Sequence, residues 1–407
     1  MEAHLLEWLN LAIRWVHVIV GIAWIGASFY FVWLENNLDR QVKNEELAGE
    51  LWAIHGGGIY HLQKYKLAPK TMPKHLHWFK WEAYSSWISG VLLLSVVYYL
   101  NAATYLILPG SPVSPAAGVA IGLGSLLIGW YVYDLLCKSP LRHQPLLLGV
   151  ALMLFLVAIS WGFSQFMTGR AAYLHVGAVI GTMMVGNVFF IIMPAQRNLV
   201  GAVEAGTAPD PALPKNGLLR SRHNNYLTLP VIFIMVSGHF PSTYGHEWNW
   251  LILLGLSLVS VAVRHYFNTR HNGQQFVWVL PAAVLALLVM AYVTVPNIPG
   301  ANTNGSSSEV ASADNTEVVA NVTSDQAYAI VETHCAGCHS ATPSHAAFST
   351  APAGLRFDSI EETKLYKNRI YIQSVASHIM PLGNSTGMTQ DERDQLGLWI
   401  TSGANIK

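Results

Sequence analysis

The chain has 407 residues, which is enough for two or three domains. Charged residues make up only 11% of it and hydrophobic residues 52%, whereas a typical soluble domain is about 25% charged. The 23 basic and 23 acidic residues balance and form no basic block. The composition therefore excludes a protein that binds nucleic acid through charge, and it favours a membrane protein with one more polar part.

Apolar runs of about 20 residues predict helices that cross a bilayer, and the first 296 residues contain eight such runs. They are Leu9–Leu34, Trp87–Leu108, Ala116–Leu136, Leu146–Met167, Tyr173–Met193, Leu227–Phe240, Trp248–Phe267 and Phe276–Val295. The sixth run is the shortest. The predicted fold is therefore all-α, with an eight-helix transmembrane bundle over residues 1–296.

Lysine and arginine collect in alternate connections of this bundle. Seven lie between the first and second runs, two between the third and fourth, and four between the fifth and sixth. The connections between the second and third runs and between the sixth and seventh contain none. Because positive residues stay on the cytoplasmic side, we expect the N-terminus and everything after the eighth run to be periplasmic, in the inner membrane of a bacterium.

The C-terminal part begins after a change in composition. Residues 297–323 contain no aromatic, lysine or arginine residue and are rich in small and polar types, which predicts a flexible linker. Residues 324–407 are predicted to form a small helical domain. Its first helix is expected over Asp325–Thr333, and a capping box from Thr389 to Glu392 predicts the start of its last helix.

The first of these helices leads into Cys335-Ala336-Gly337-Cys338-His339. A Cys-x-x-Cys-His run is the attachment signature of c-type haem. Cys335 and Cys338 would bond to the porphyrin vinyl groups, and His339 would supply the proximal imidazole. A redox or zinc Cys-x-x-Cys pair is the alternative. The domain is predicted to be a class I-like cytochrome c, on the side of the membrane where haem is attached.

The sixth iron ligand is expected to be a methionine, because a thioether commonly lies opposite the histidine in such cytochromes. Met380, in an Ile-Met-Pro run, is the first candidate. Met388 is the alternative, and His378 is a weaker one. A plain core methionine remains the other interpretation of either Met.

Polar residues inside predicted spans are costly and mark candidate functional positions. Those expected near the outer face are Arg14, His17, Gln165, His175 and His239. Those expected near the inner face are Glu82, Asp134, Arg264 and His265.

His17 shares a helical face with Gly21 and Trp24. One interpretation is a haem b ligand, with His175 or His239 as its partner. A second is a histidine that holds a substrate, and a third is a histidine hydrogen-bonded inside a bundle that packs through glycines. The sequence leaves these three open.

The connection from Glu35 to Lys80 is unusually long and contains four histidines near a run of three glycines. They are His55, His61, His75 and His77. Such a group can bind a metal or an anion, and a solvated glycine-rich loop is the other interpretation.

Several of these runs together resemble the bacterial membrane-bound urate oxidase (urate hydroxylase, PuuD) family, and the resemblance covers nearly the whole chain. The runs are Trp15-Val16-His17 with Gly21-x-x-Trp24-x-Gly26, His55 to His61, Lys74 to Tyr84, Ser221 to Tyr226, the Cys335 to His339 signature, and Met380 to Asn384.

The resemblance implies oxidation of urate to 5-hydroxyisourate, with water as the oxygen source. Electrons would leave through the cytochrome to a respiratory acceptor such as a terminal oxidase or a soluble cytochrome c. An anionic substrate needs a fixed cation, for which Arg14 with Gln165, or Arg170, are candidates. The base would be one of the outer-face histidines, His17, His175 or His239.

Two other functions remain open at this point. The chain can be an electron-transfer module that oxidises a quinol or another donor, with the membrane histidines as haem ligands. It can also be a transporter with an attached redox sensor, which broken spans or internal repeats would favour. No repeat occurs in the sequence.

Overall fold

The computed structural model describes residues 2–108, 110–270, 276–294, 322–345, 348 and 350–404, and 69% of the structure is helical. The helices of the N-terminal part are α1 (Glu2–Asn37), α2 (Trp81–Leu94), α3 (Ala102–Tyr105), α4 (Pro115–Lys138), α5 (Pro145–Ser164), α6 (Gly169–Gly186), α7 (Met193–Glu204), α8 (Ala212–Ser237), α9 (Pro241–Tyr244), α10 (Asn249–Thr269) and α11 (Val279–Val293). Those of the C-terminal part are α12 (Ser324–His334), α13 (Ile360–Leu365), α14 (Lys367–Ile370) and α15 (Gln390–Thr401). Apart from residues 322 and 323, the predicted linker lies outside the described residues.

The all-α prediction is wrong at one place. Two antiparallel strands, β1 (Leu47–His55) and β2 (Gly58–Tyr65), form a hairpin within the long connection after α1. Gly56 and Gly57 make its turn with φ of +57° and +79°, values that glycine adopts without strain. A glycine-rich loop was predicted for this stretch. The paired glycines were the sequence signal for a hairpin.

Five helices are long and apolar enough to cross a membrane, by length and composition. They are His4–Asn37, Pro115–Lys138, Pro145–Ser164, Gly169–Glu204 and Asn249–Thr269. These match the first, third, fourth, fifth and seventh predicted spans, which are confirmed as membrane-compatible helices.

The remaining three spans stay predictions, so the count of eight is not confirmed. The second is divided into α2, a π-helical turn over Ser95–Tyr99, and α3 after a break at Asn101. The sixth is the apolar second half of α8, whose first half carries lysine and arginine. The eighth coincides with α11, which has only 15 residues.

Helix α6 lies at the centre of the bundle. Twelve of its 18 residues are buried, and it contacts α2, α4, α5, α8 and α9. A π-helical turn over Asn187–Ile192 joins it directly to α7. Residues at the two ends of α6 therefore have fixed positions at opposite ends of the bundle.

One end of the bundle contacts the C-terminal part of the chain, and we call it the proximal end; residues 99–108, 110–114, 165–170 and 238–249 form it. Its connections are held by backbone hydrogen bonds. Leu108 N–H donates to the Phe166 carbonyl at 2.9 Å, and Thr168 N–H donates to the Leu106 carbonyl at 2.9 Å.

The opposite, distal end contains a buried polar network. Arg220 is fully buried and forms an ion pair with Asp134 at 2.5 Å. Asn187 donates to the Tyr133 hydroxyl and to the Asn224 side-chain carbonyl, both at 2.8 Å. The network ties α4, α6 and α8 together, because a buried charge is tolerated only when it is paired and hydrogen-bonded.

The C-terminal residues pack around a hydrophobic core of their own, which includes Leu396, Trp399 and Val331. The predicted first and last helices are confirmed as α12 and α15, and both begin with a capping box. At the start of α15, Glu392 accepts hydrogen bonds from the Thr389 N–H and hydroxyl, and lies 3.1 Å from His334 Nε2 on α12. These bonds lower the pKa of Glu392 to about 2.

Substituting Asp134 by asparagine is expected to lower the free energy of unfolding by about 3 to 5 kcal/mol, because Arg220 would remain buried without a counter-ion. Lys138→Gln is the matched control: Lys138 pairs with the same carboxylate, but its side chain is 64% exposed, and exposed pairs contribute little. Thermal unfolding in detergent measures both. Equal effects of the two variants would contradict the role given to the buried pair.

The stability of the C-terminal domain is expected to depend on Glu392 at acid pH. A carboxyl with a lowered pKa in the folded state adds stability that is present above its ordinary value of 4.5 and is lost as the pH falls toward 2. Glu392→Gln should therefore destabilise the domain at neutral pH, and the difference from wild type should shrink between pH 4.5 and 2. Acid titration followed by the fluorescence of Trp399, which lies in the core of this domain, tests this. The control is Asp391→Asn in the same helical turn, where no side-chain hydrogen bond is described.

Candidate functional site

Two arginines at the proximal end lie within electrostatic range of each other. Arg14 lies on α1 and Arg170 in the first turn of α6, close enough to repel each other electrostatically. Arg14 donates to Asn10 Oδ1 at 3.0 Å, and the buried Nε of Arg170 has no hydrogen-bond partner. No ion pair joins either guanidinium to an acidic group within the described ranges. Two unpaired cations at the positive end of a helix make a place for an anion.

The hydroxyl of Tyr98 lies within electrostatic range of both arginines. Tyr98 is 2% exposed, and its hydroxyl has no hydrogen-bond partner among the described residues. Its electrostatic neighbours are Arg170, Tyr244, Arg14 and Tyr105. It lies in the π-helical turn Ser95–Tyr99, a local irregularity that is frequent at functional sites. A buried hydroxyl without a partner is a donor available to a ligand.

His17 lies one helical turn from Arg14, within its electrostatic range. Its Nδ1 is 3.0 Å from Ser89 Oγ, and that hydroxyl donates its proton to the Ser85 carbonyl at 2.7 Å. His17 Nδ1 must therefore carry the proton, which leaves the lone pair on Nε2. Gly90 provides the space, because a Cβ there would come within 3.1 Å of the imidazole. In its neutral form, His17 therefore presents the lone pair on Nε2.

His175, in contrast, is fully buried and has both ring nitrogens occupied. Its Nδ1 donates to the Ala171 carbonyl at 2.8 Å, and its Nε2 accepts from the Tyr99 hydroxyl at 3.1 Å. Its ring is 6.0 Å from that of Tyr98. This arrangement gives His175 the role of positioning the two tyrosines. The prediction of a haem b with His17 and His175 or His239 as ligands stays untested.

The remaining predicted polar residues differ in their surroundings. His239 is exposed and directly follows Gly238, where a Cβ would come within 3.1 Å of Arg170 Nε. The amide of Gln165 donates back to the Trp161 carbonyl of its own helix at 3.1 Å.

In the long connection, His61 stacks on Trp52 and pairs with Glu50 at 2.9 Å. No group of three or more metal-ligating side chains occurs in the part of the chain that the structure describes.

The Cys335–His339 run forms a tight turn after α12. Cys338 and His339 both donate their N–H groups to the Cys335 carbonyl, at 3.1 and 2.9 Å. His339 Nδ1 lies 3.1 Å from the Leu355 carbonyl. Because a carbonyl only accepts, Nδ1 carries the proton and Nε2 is free for a metal, as in most metal-ligating histidines. Burial lowers the pKa of His339, which keeps the imidazole neutral.

The two thiols are compatible with covalent attachment. Both cysteines are free, and burial raises the pKa of Cys335 to about 12, so this group stays a thiol at neutral pH. The residues therefore fit the predicted haem c.

The two candidate methionines differ in environment. Met388 is 3% exposed and packs in the core of the C-terminal domain, whereas Met380 is half-buried. The backbone of Met380 is fixed by its N–H donation to the Gln373 carbonyl at 2.8 Å and by Arg393, which donates to the Met380 carbonyl at 2.7 Å. This arrangement favours Met380 as the ligand, which stays a prediction.

The sequence profile described as urate oxidase N-terminal matches residues 3–295. The chain belongs to this family. Membership supports an oxidoreductase that acts in urate-related oxidation, and the five long apolar helices are consistent with a membrane protein. No curated protein and no solved structure matches the chain. The match covers the helical bundle, where the arginine pair lies, and ends before the C-terminal domain of this urate oxidase family member.

Sequence reasoning missed the tyrosines of the site. Tyr98, Tyr99 and Tyr105 all lie in the second apolar run and carry no formal charge. They were therefore not among the ionisable residues that marked candidate positions in the spans. The signal available was the adjacent Tyr98-Tyr99 pair at the end of an apolar helix. Only the π-helical turn, which points one ring toward the arginines and the other toward His175, reveals their roles.

Substituting both Cys335 and Cys338 by serine is expected to abolish covalent haem attachment, because no thiol would remain to bond to the vinyl groups. Haem staining after denaturing gel electrophoresis is the measurement. Cys137→Ser is the control, since Cys137 is buried beside Tyr133 and His223 in the bundle. Stained haem in the double variant, or its loss in the control, would contradict the assignment.

Proposed function

We propose that the protein oxidises urate to 5-hydroxyisourate at the proximal end of the bundle and delivers the electrons to a haem c in its C-terminal domain. The observation that carries this proposal is the pair Arg14 and Arg170, two cations with no carboxylate partner among the residues described, beside the free hydroxyl of Tyr98. Urate is an anion at neutral pH, and the family match supplies the chemistry of the bundle.

Binding rests on charge and on directed hydrogen bonds. The guanidinium groups of Arg14 and Arg170 would hold the delocalised negative charge of urate, and planar guanidinium groups suit planar oxygen and nitrogen acceptors. The Tyr98 hydroxyl would donate to a carbonyl of the same ring. With the anion bound, the repulsion between the two arginines is removed, so the site binds an anion more strongly than a neutral molecule.

The reaction combines urate with water and releases two electrons and two protons. A base must take a proton from the attacking water or from the urate ring, and Nε2 of His17 is the nitrogen with a free lone pair. Ser89 fixes the His17 tautomer by accepting from Nδ1. General-base assistance of this kind typically contributes about 100- to 10,000-fold to the rate.

The electrons need an acceptor, which the C-terminal domain would hold. Cys335 and Cys338 would bind the haem covalently, and His339 and Met380 would supply its iron ligands. When bound, a c-type haem accepts one electron at a time, so each urate requires two successive transfers and a respiratory partner such as a terminal oxidase or a soluble cytochrome c.

The arrangement supports the topology inferred from the charge distribution. The N-terminal region of α1, which carries Arg14, and the C-terminal domain lie at the same end of the bundle. The lysine- and arginine-rich connections lie at the other. We propose that the bundle spans the bacterial inner membrane and that the proximal end is periplasmic.

A quinol-oxidising module is the competing function. Quinols are neutral and bind in apolar sites, so two unpaired arginines and a free hydroxyl favour an anionic substrate instead.

The proposal is tested by adding urate to the oxidised protein in detergent under anaerobic conditions and recording the haem absorbance. Reduction by urate without oxygen is the expected result. Reduction by a quinol analogue but not by urate would overturn the proposal.

Variants of the site sharpen this experiment. Arg14→Gln and Arg170→Gln are each expected to raise the KM for urate about 10- to 100-fold, the effect of losing a charged hydrogen bond. His17→Gln is expected to lower kcat with little change in KM. The control is Arg142→Gln, since Arg142 is exposed after α4 at the distal end. An unchanged KM in both arginine variants would place the substrate elsewhere.

A further inference from the structure

The C-terminal domain is in direct contact with the proximal end of the bundle. Ile379 packs against the hydrophobic core of the bundle. A Cβ added to Gly383 would lie 3.2 Å from the Thr104 carbonyl oxygen, which means that the two backbones approach closely. The contact therefore involves the loop around Met380 on one side and the segment after α2 on the other.

Gly245, which follows α9, marks a second close approach. A Cβ at this position would collide with Cβ of Ser377 and lie 3.0 Å from Cδ1 of Ile379. Its φ of −84° is open to any residue, so the backbone conformation does not require glycine here. A small residue is required here because the neighbouring turn and the C-terminal domain pack directly against this position.

The docked loop is held rigidly within its own domain. Arg393 is 4% exposed and donates to the carbonyls of Ser374 and Met380 and to Asn384 Oδ1. Because these hydrogen bonds hold the loop rigid, the contact with the bundle also fixes the position of Met380. The contact therefore orients the predicted haem pocket relative to the bundle.

Tyr105 lies between the arginine pair and the predicted haem attachment run. Its electrostatic neighbours are Arg170 on the side of the arginine pair and Cys338 on the side of the predicted haem. Its carbonyl accepts from the Thr168 hydroxyl at 2.8 Å, which fixes it beside the start of α6. No other residue has both Arg170 and Cys338 among the electrostatic neighbours described.

We propose that this contact is an electron-transfer interface within the chain. The loop that carries Met380 docks on Thr104 and on Gly245. Tyr105 lies between the predicted haem pocket and the arginine pair and holds them in position. The proposal rests on the proposed function for the identity of the electron donor. The C-terminal domain would hold the electron acceptor, a haem that would take one electron in each transfer, and the base at the site would accept the protons that the oxidised substrate releases. No bond between the domains forms or breaks.

The test compares Ile379→Asp with Ile372→Asp in the full-length, haem-loaded protein. Ile372 belongs to the same domain, but its side chain is 42% exposed, so an added charge there leaves the contact intact. A charge at Ile379 would be buried without a partner in the docked state, which is expected to lower the docked population about tenfold or more.

Two readouts are measured. Hydrogen exchange of residues 101–106 and 377–384 reports docking without any turnover, and we expect both segments to lose protection in Ile379→Asp only. Anaerobic reduction of the haem by urate should slow about tenfold or more in the same variant, while reduction by dithionite stays unchanged. Tyr105→Leu should slow the urate-driven step, and Tyr105→Phe, which keeps the ring, should slow it less.

Two results would overturn the proposal. One is equal, low protection of both segments in wild type and Ile379→Asp, which would mean that the domains do not dock in solution. The other is lost protection with an unchanged rate of urate-driven reduction. If urate fails to reduce the wild-type haem, the proposed function fails instead, and hydrogen exchange still decides whether the interface exists.

Discussion

The close packing of α6 against its neighbours is the constraint on which the rest of the bundle depends. Ile234 on α8 comes within 2.5 Å of where a Cβ on Gly177 would be, and Trp130 on α4 fills the equivalent space at Gly186. Small residues at such crossings let helix backbones approach closely, which is how helices associate where the hydrophobic effect between them is weak. Because α6 cannot shift, Arg170 at its start and Asn187 just beyond its end are fixed at opposite ends of the bundle.

The two ends of the bundle differ in how their arginines are paired. At the distal end, the buried Arg220 is paired with Asp134 and hydrogen-bonded to Asn187, so its charge is compensated and its role is to hold helices together. At the proximal end, Arg14 and Arg170 face each other without an acidic partner among the described residues. Two like charges in electrostatic range favour binding of an anion, because the bound anion offsets their repulsion.

The contact between the bundle and the C-terminal domain links the proposed substrate site to the predicted haem. Tyr105 is close to both Arg170 and Cys338, and the loop that carries Met380 is fixed by Arg393 and seated on the proximal end. Oxidation of urate and removal of its electrons would then occur on adjacent surfaces of one chain. The proposed reaction would require this proximity, because the electrons would pass to the C-terminal domain and not to an oxygen molecule at the substrate.

The sequence by itself determined the features that depend on local pattern. Apolar runs predicted the long helices, the capping residues Thr323 and Thr389 begin the helices at the two ends of the C-terminal domain, and the spacing of Cys335, Cys338 and His339 predicts haem attachment. Each of these signals comes from residues close together in the chain, where periodicity and spacing are sufficient.

The tertiary structure decided what depends on contacts between distant segments. The sequence offered His17, His175 and His239 as equivalent candidates, and only their hydrogen bonds distinguish them. Ser89 leaves His17 with a free nitrogen, Tyr99 occupies that of His175, and His239 is exposed. The pairing of Arg14 with Arg170 likewise joins residues more than 150 positions apart. Which charges lie together, and which of them lack a partner, is fixed by helix packing, and no local pattern in the sequence contains that information.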